Sequence, residues 1–179
     1  MLRIFASLAI ATLTLFAFTA AIAVIDNGSA PDRHVLLGIC TLLLSCFVQV
    51  LGFTYLTITG KVIGQAANLA NIDLTCQAKV KQYKRSFTRQ LALAIVCVVL
   101  ASATGGASLR SRDALAVHYV AAMIAALAHV WVYRRQSLIL RRNAELVETT
   151  IKAYTSRRAP RSDRNIPASA NAESNTFAP

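Results

Sequence analysis

Four long stretches of the chain contain no charged residue. They cover residues 4–25, 34–60, 90–109 and 114–133. A helix of about 20 residues spans the ~30 Å hydrocarbon core of a bilayer at ~1.5 Å per residue, and each stretch reaches that length. One buried helix of a soluble protein mimics such a stretch, but four in succession are hard to explain that way. The pattern predicts an all-α fold, an integral membrane four-helix bundle.

The segment between the second and third stretches, residues 61–89, is polar but carries one apolar helical stripe. Its apolar side chains recur every three or four positions: Leu69, Ile72, Cys76, Val80, Tyr83 and Phe87. Asn71 and Asp73 are possible N-caps for a helix that runs into the third stretch. Its basic residues are Lys79, Lys81, Lys84 and Arg85. The segment therefore predicts a helix that lies on an anionic inner leaflet or packs against a neighbouring helix.

The fourth stretch continues into a second amphipathic helix, residues 134–155. Spacings of three and four alternate along one seam: Val130, Tyr133, Ser137, Leu140, Ala144, Val147, Ile151 and Tyr154. This seam predicts either a helix that covers segment 61–89 or a dimer-forming coiled coil, with Leu140, Ala144, Val147 and Ile151 as the partner contacts. We predict one domain, residues 1–155. Residues 156–179 are rich in Arg, Pro, Ser and Asn, which predicts a disordered basic tail.

The charge distribution predicts the orientation. Hydrophobic residues make up 55% of the chain, charged residues 15%, and the net charge is +11. The short connections 26–33 and 110–113 are together neutral, so the whole net charge lies in the N-terminus, residues 61–89 and the chain from residue 134 onward. The positive-inside rule then places both termini in the cytosol. Anionic lipid of the inner leaflet, rather than a specific nucleic acid, is the expected charged partner.

The beginning of the chain leaves one alternative open. Arg3, the apolar run and the small residues Ala21 and Ala23 are typical of a signal peptide. The apolar run is longer than the usual ~7–15 residues, which favours a first span that is retained.

Few residues offer chemistry. No span contains a carboxylate, so the usual proton carrier of a coupled transporter is missing. His34 and His118 are candidate axial ligands of a b-type haem. However, His34 lies roughly 15–20 Å from the middle of its stretch and His118 roughly 8 Å from the middle of its own. Two axial ligands of one haem have to lie at nearly the same depth in the membrane. His129 and Gln49 are further polar residues inside the predicted spans, and we expect Gln49 to donate a hydrogen bond to another helix.

Several of these features together resemble a group of small four-pass bacterial inner-membrane proteins. They are the segment from Tyr55 to Lys61, the basic inner helix, Gly105-Gly106 at the end of the third helix, and the helix that carries His118 with its charged extension. The resemblance covers roughly residues 34–150. It implies the four-pass topology and a bacterial inner membrane. The group has no assigned activity, so no functional residue is carried over.

These observations predict a non-enzymatic, cofactor-free membrane protein that acts as scaffold, accessory subunit or regulator through its basic cytosolic helical face. A second copy or another membrane protein is the expected partner. The alternative is a haem b electron-transfer subunit that uses His34 and His118. A third alternative is a small channel or transporter, which rests on Gln49 and on three threonines near the end of the second stretch, Thr54, Thr57 and Thr59.

Overall fold

The described residues form four α-helices. The computed structural model describes residues 1–25, 31–69, 75–108 and 112–158. The helices are α1 (Leu2–Ile25), α2 (Pro31–Leu69), α3 (Thr75–Ser108) and α4 (Arg112–Arg158). Within these ranges there is no strand, and all four helices are long and apolar enough to cross a membrane. The predicted all-helical class is confirmed, and the four apolar helices indicate a multi-pass membrane protein.

Hydroxyl side chains within the helices bond to their own backbone. Thr12 donates to the carbonyl of Leu8 at 2.8 Å, Thr41 to that of Leu37 at 2.8 Å, and Ser102 to that of Val98 at 2.9 Å. Such bonds satisfy a polar side chain without a partner helix, which matters where no water is present. Polar residues are therefore compatible with apolar helices of this length.

Segment 61–89 is divided between two helices. Residues 61–69 continue α2, and residues 75–89 are the first part of α3. The predicted apolar stripe is therefore divided: Leu69 lies exposed at the end of α2, whereas Phe87 is fully buried on α3. Asn71, Ile72 and Asp73 lie outside the described residues. Spacing alone does not show that Leu69 and Thr75 belong to different helices, although the apolar stripe runs across both.

Two other helix ends also differ from the prediction. Gly105 does not end the third helix, because α3 continues to Ser108. The fourth stretch and its extension form one helix of 47 residues that ends at Arg158 instead of residue 155. The remainder of the predicted tail, residues 159–179, lies outside the described residues.

In cross-section, one pair of diagonally opposite helices is in contact and the other pair is not. Helices adjacent in sequence pack together, α1 also packs against α4, and α2 contacts α4 across the bundle. Among the described residues α1 and α3 make no such contact. Because the chain reverses direction at each connection, α2 and α4 run parallel. This parallel pair is the centre of the fold.

Gly52 of α2 lies against two aromatic rings inside the bundle. A Cβ atom at Gly52 would lie 2.5 Å from Cζ of Phe87 on α3 and 3.2 Å from Cε2 of Phe5 on α1. Phe5 also packs edge-on against Tyr133 of α4, with ring centroids 6.0 Å apart. All four helices thus converge at this level, because a glycine allows the close approach.

Three of the helices continue past the first residue of α1. Met1 lies against Tyr55 of α2 and Ala144 of α4, since the three residues line one small cavity. From there α2 extends to Leu69 and α4 to Arg158, about 20 Å further in each case at ~1.5 Å per residue. We call this end of the molecule the basic end, and the opposite end, which carries His34 and His118, the histidine end.

We expect Gly52→Ala to destabilise the fold, because Phe87 is fully buried and its ring has to move. Overpacking of this kind costs about 1–3 kcal/mol, more than alanine returns in helix propensity. Gly38→Ala, in the same helix, is the control, since a Cβ there meets nothing within 4 Å. Thermal unfolding in detergent, followed by circular dichroism, measures both variants. Equal melting temperatures for the two would contradict the packing described.

Candidate functional site

The contact between α2 and α4 is made by three hydrogen-bonded pairs of polar side chains. Ser45 pairs with His129 at 2.7 Å, Gln49 with Gln136 at 2.7 Å, and Thr59 with Asn143 at 2.8 Å. The members of each pair are 84, 87 and 84 positions apart, so the offset is nearly constant, as a parallel pair of helices requires. We call these six residues the polar ladder.

His129 is held on every side. Its Nδ1 lies 2.8 Å from the carbonyl of Ala125. Because a carbonyl only accepts, Nδ1 carries the proton, and in the neutral ring Nε2 accepts from the Ser45 hydroxyl. The rings of Phe16 and Tyr133 lie 5.1 and 5.6 Å from the imidazole. The sequence identified His129 as an intramembrane polar residue, but it did not identify Ser45 as its partner.

The Gln49 amide also finds its partner on α4. The structure places Gln49 as the acceptor, since its Oε1 receives a bond from Nε2 of Gln136. The sequence expected a donor to an unnamed helix. Val48, Leu56 and Val132 are each at most 2% exposed beside the ladder. The pairs therefore lie in a packed interface between helices and do not line a passage.

Some buried atoms of this interface remain without a hydrogen-bond partner among the described residues. They are Nε2 of Gln49, Oε1 of Gln136 and Oδ1 of Asn143. In hydrocarbon each such group lowers stability, so the ladder does not contribute all the hydrogen-bonding energy that its side chains offer.

His34 and His118 lie side by side at the histidine end. Their ring centroids are 5.8 Å apart and their planes nearly perpendicular. The sequence argument that separated them by depth was wrong. It measured each residue from the middle of its own uncharged stretch, but the stretch of α2 continues beyond the level at which α4 becomes charged at Arg134. The offset of the polar ladder instead brings residue 34 level with residue 118.

Both imidazoles are oriented in the way that metal-binding histidines usually are. Nδ1 of His34 lies 3.2 Å from the carbonyl of Thr19, and Nδ1 of His118 lies 3.1 Å from that of Ala101. Such bonds leave Nε2 as the coordinating atom. However, a Cβ atom at Gly105 would lie 3.0 Å from Cε1 of His118, so the backbone of α3 is packed against the ring. A porphyrin needs space on that side, and haem b at this pair stays a prediction.

The predicted basic face lies mainly in solvent. Lys79, Lys81 and Arg85 are exposed, whereas Lys84 is half-buried with Nζ 5.1 Å from the centroid of the Phe53 ring. Both ion pairs of the described residues lie within α4, Arg141 with Glu145 at 3.4 Å and Lys152 with Glu148 at 2.7 Å. The bond from Lys152 lowers the pKa of Glu148. Lys79, Lys81, Lys84 and Arg85 therefore form no ion pair with any described residue.

The predicted seam of α4 is only partly packed. Leu140 is buried and Val147 half-buried, but Ala144 and Ile151 are exposed. The buried face of the extension is polar instead and repeats every seven residues: Gln136, Asn143 and Thr150. A search for apolar periodicity cannot find such a face. Contact of Leu140, Ala144, Val147 and Ile151 with a partner molecule stays a prediction.

Comparison with known proteins adds no functional assignment. No protein-family model, no curated protein and no solved structure matches this chain. Within the described residues no three His, Cys, Asp or Glu side chains form a group that could hold a metal ion. The four long apolar helices indicate a multi-pass helical membrane protein.

We expect the Gln49–Gln136 bond to appear as a coupling energy. Either residue changed to Leu leaves the other amide buried without its partner, whereas the double variant removes both. Interhelical hydrogen bonds in membranes contribute about 0.6 kcal/mol on average and up to ~1.7. Reversible unfolding in mixed micelles measures the free energies of unfolding of the wild type, both single variants and the double variant, which form a double-mutant cycle. Gln136→Leu combined with Thr54→Val is the additive control, because Thr54 is exposed. Additive free energies for the Gln49 and Gln136 variants would show that the pair does not form.

Proposed function

We propose that this chain is a non-enzymatic scaffold, accessory subunit or regulator that binds an apolar helix of a partner protein at its basic end. The observation that carries the proposal is an apolar groove where α2 and α4 continue beyond Met1. The groove is defined by Ile58, Val62 and Leu69 on α2 and by Ala144, Val147 and Ile151 on α4.

The groove continues the surface that α1 covers. On α2, Leu51 and Tyr55 contact the first turn of α1, and Ile58 and Val62 follow at spacings of three and four. On α4, Leu140 and Ala144 make the same contact, and Val147 and Ile151 follow. A further helix in line with α1 would therefore meet the same kind of apolar stripe on both neighbours.

Five of the six side chains of the groove are exposed, and Val147 is half-buried. Ile58 is 57% exposed, Val62 41%, Leu69 76% and Ile151 44%. Lipid does not account for this exposure, because charged residues of α3 and α4 lie at the same level. The contacts of Gly60 with Val80 and of Thr59 with Asn143 fix that level. Clustered apolar side chains among charged ones are typical of a protein interaction site.

The orientation is part of the same proposal. The net positive charge of the basic end supports a cytosolic location for both termini, in a bacterial inner membrane. The groove then faces the cytosol, where soluble and membrane-bound partners both reach it. A reporter that is active only outside the membrane should be silent when fused after Tyr154, and activity there would overturn this orientation.

We expect a photo-crosslinking amino acid at Ile151 to capture a protein partner in intact membranes, because this side chain points into the groove. The same amino acid at Thr149, which is exposed about 200° away around α4, is the matched control. The mass of the adduct tells a second copy from another protein. A Val62→Asp substitution on the opposite wall should weaken the adduct several-fold. Equal yields from Ile151 and Thr149 would refute the groove as the contact.

A haem b electron-transfer subunit is the second candidate, favoured by the adjacency of His34 and His118. A reduced-minus-oxidised absorption spectrum of the purified full chain after haem addition distinguishes the two candidate functions. If the pair ligates haem, a b-type band should appear, be lost in His118→Leu, and persist in His129→Leu. We expect no such band, because α3 is packed against His118 at Gly105. A band that His118→Leu abolishes would replace our first proposal.

A further inference from the structure

A second surface feature lies on the other side of α4, between α3 and α4. It is a half-open cavity of about 170 Å³. Its polar lining comes from Gln82, Ser86 and Gln90 of α3 and from Arg135 and Arg142 of α4. The groove described above faces the side of α1, so this cavity is independent of it.

The cavity carries positive charge that no carboxylate neutralises. Among the described residues both ion pairs involve other cations, Arg141 and Lys152. Arg135 and Arg142 are seven positions apart and therefore on one face of α4, about 10 Å apart along the axis. Guanidinium groups recognise phosphate oxygens through paired hydrogen bonds. The cavity thus fits an anion that carries phosphate.

One lining atom indicates what else the ligand contains. Gln90 donates through Nε2 to the hydroxyl of Ser86 at 3.4 Å, but its Oε1 is buried without a partner. Since this oxygen only accepts, a fitting ligand brings a donor, such as a hydroxyl group, next to its phosphate. The phosphodiester of a lipid has no donor of its own, so the donor has to come from the rest of the headgroup.

The position along the bundle matches the headgroup layer. Arg89 precedes the uncharged stretch of α3, and Arg134 follows that of α4. Both mark the end of the uncharged stretches that lies towards the basic end, and the cavity begins there. Trp131, the only tryptophan of the chain, is 49% exposed one turn nearer the membrane centre. Its ring lies 5.8 Å from Cζ of Arg135. An exposed tryptophan under an arginine is typical of the interface between hydrocarbon and headgroups.

We propose that the α3–α4 cavity binds the headgroup of an anionic phospholipid, with the phosphate at Arg135 and Arg142 and a headgroup hydroxyl at Gln90. Leu138, which is 51% exposed, also lines the cavity and provides apolar surface beside the headgroup. A free phosphorylated metabolite has the same polar chemistry but does not need this surface or this depth.

Trp131 makes the site measurable in the full chain. The protein is reconstituted in phosphatidylcholine vesicles that contain phosphatidylglycerol, with either lipid brominated at an equal mole fraction. We expect brominated phosphatidylglycerol to quench Trp131 more strongly than brominated phosphatidylcholine. Arg142→Gln should reduce that selectivity about fivefold. Arg141→Gln, an equal change of charge on an adjacent residue paired with Glu145, should reduce it less than about twofold.

Gln90→Leu tests the same site without a change in charge, and we expect it to lower the selectivity as well. Circular dichroism verifies that each variant folds. Equal quenching by the two brominated lipids in the wild type would overturn the proposal. An equal loss in Arg141→Gln and Arg142→Gln would also overturn it, since diffuse attraction to the basic end then suffices. If soluble glycerol phosphate abolishes the excess quenching at a concentration well below that of the phosphatidylglycerol in the sample, the site prefers a soluble ligand to a lipid headgroup.

Discussion

The parallel contact between α2 and α4 is the constraint on which the rest of the structure depends. In a bilayer, apolar helices gain nothing by exchanging lipid for one another, so close packing and hydrogen bonds have to hold them together. Ser45 with His129, Gln49 with Gln136 and Thr59 with Asn143 provide these bonds at nearly constant offset. A shift of either helix by one residue would break all three pairs together. The ladder therefore fixes the register of the bundle.

That register determines what lies together at each end. At the histidine end it brings His34 level with His118 and places Gly105 against the imidazole of His118. At the basic end it sets α2 and α4 side by side beyond Met1, which creates the apolar groove. The hydrogen bonds in the middle of the molecule thus decide the geometry of surfaces that are far from them. The cavity between α3 and α4 lies on a different face of α4, which the polar ladder does not occupy.

Local composition explains how much of the fold and of the candidate sites was predictable. Uncharged stretches are a property of the chain itself, so the four helices follow from them without any contact. Single residues such as His129 and Gln49 were recognised because a polar group in an apolar stretch needs a partner. The partners were not recognised, because Ser45 and Gln136 are ordinary residues in their own segments. The packed face of the α4 extension escaped notice for a related reason, since Asn143 and Thr150 are polar and interrupt an apolar pattern.

The sequence by itself determined the helical class, the four apolar helices and the strong positive charge of one set of segments, because hydropathy and charge add up along the chain. Only the tertiary structure decided the pairing of His34 with His118, the division of segment 61–89 between two helices, and the convergence of Phe5 and Phe87 at Gly52. Each of these depends on the offset between helices. That offset is set by side-chain bonds between residues more than 80 positions apart, and no spacing within one segment encodes it.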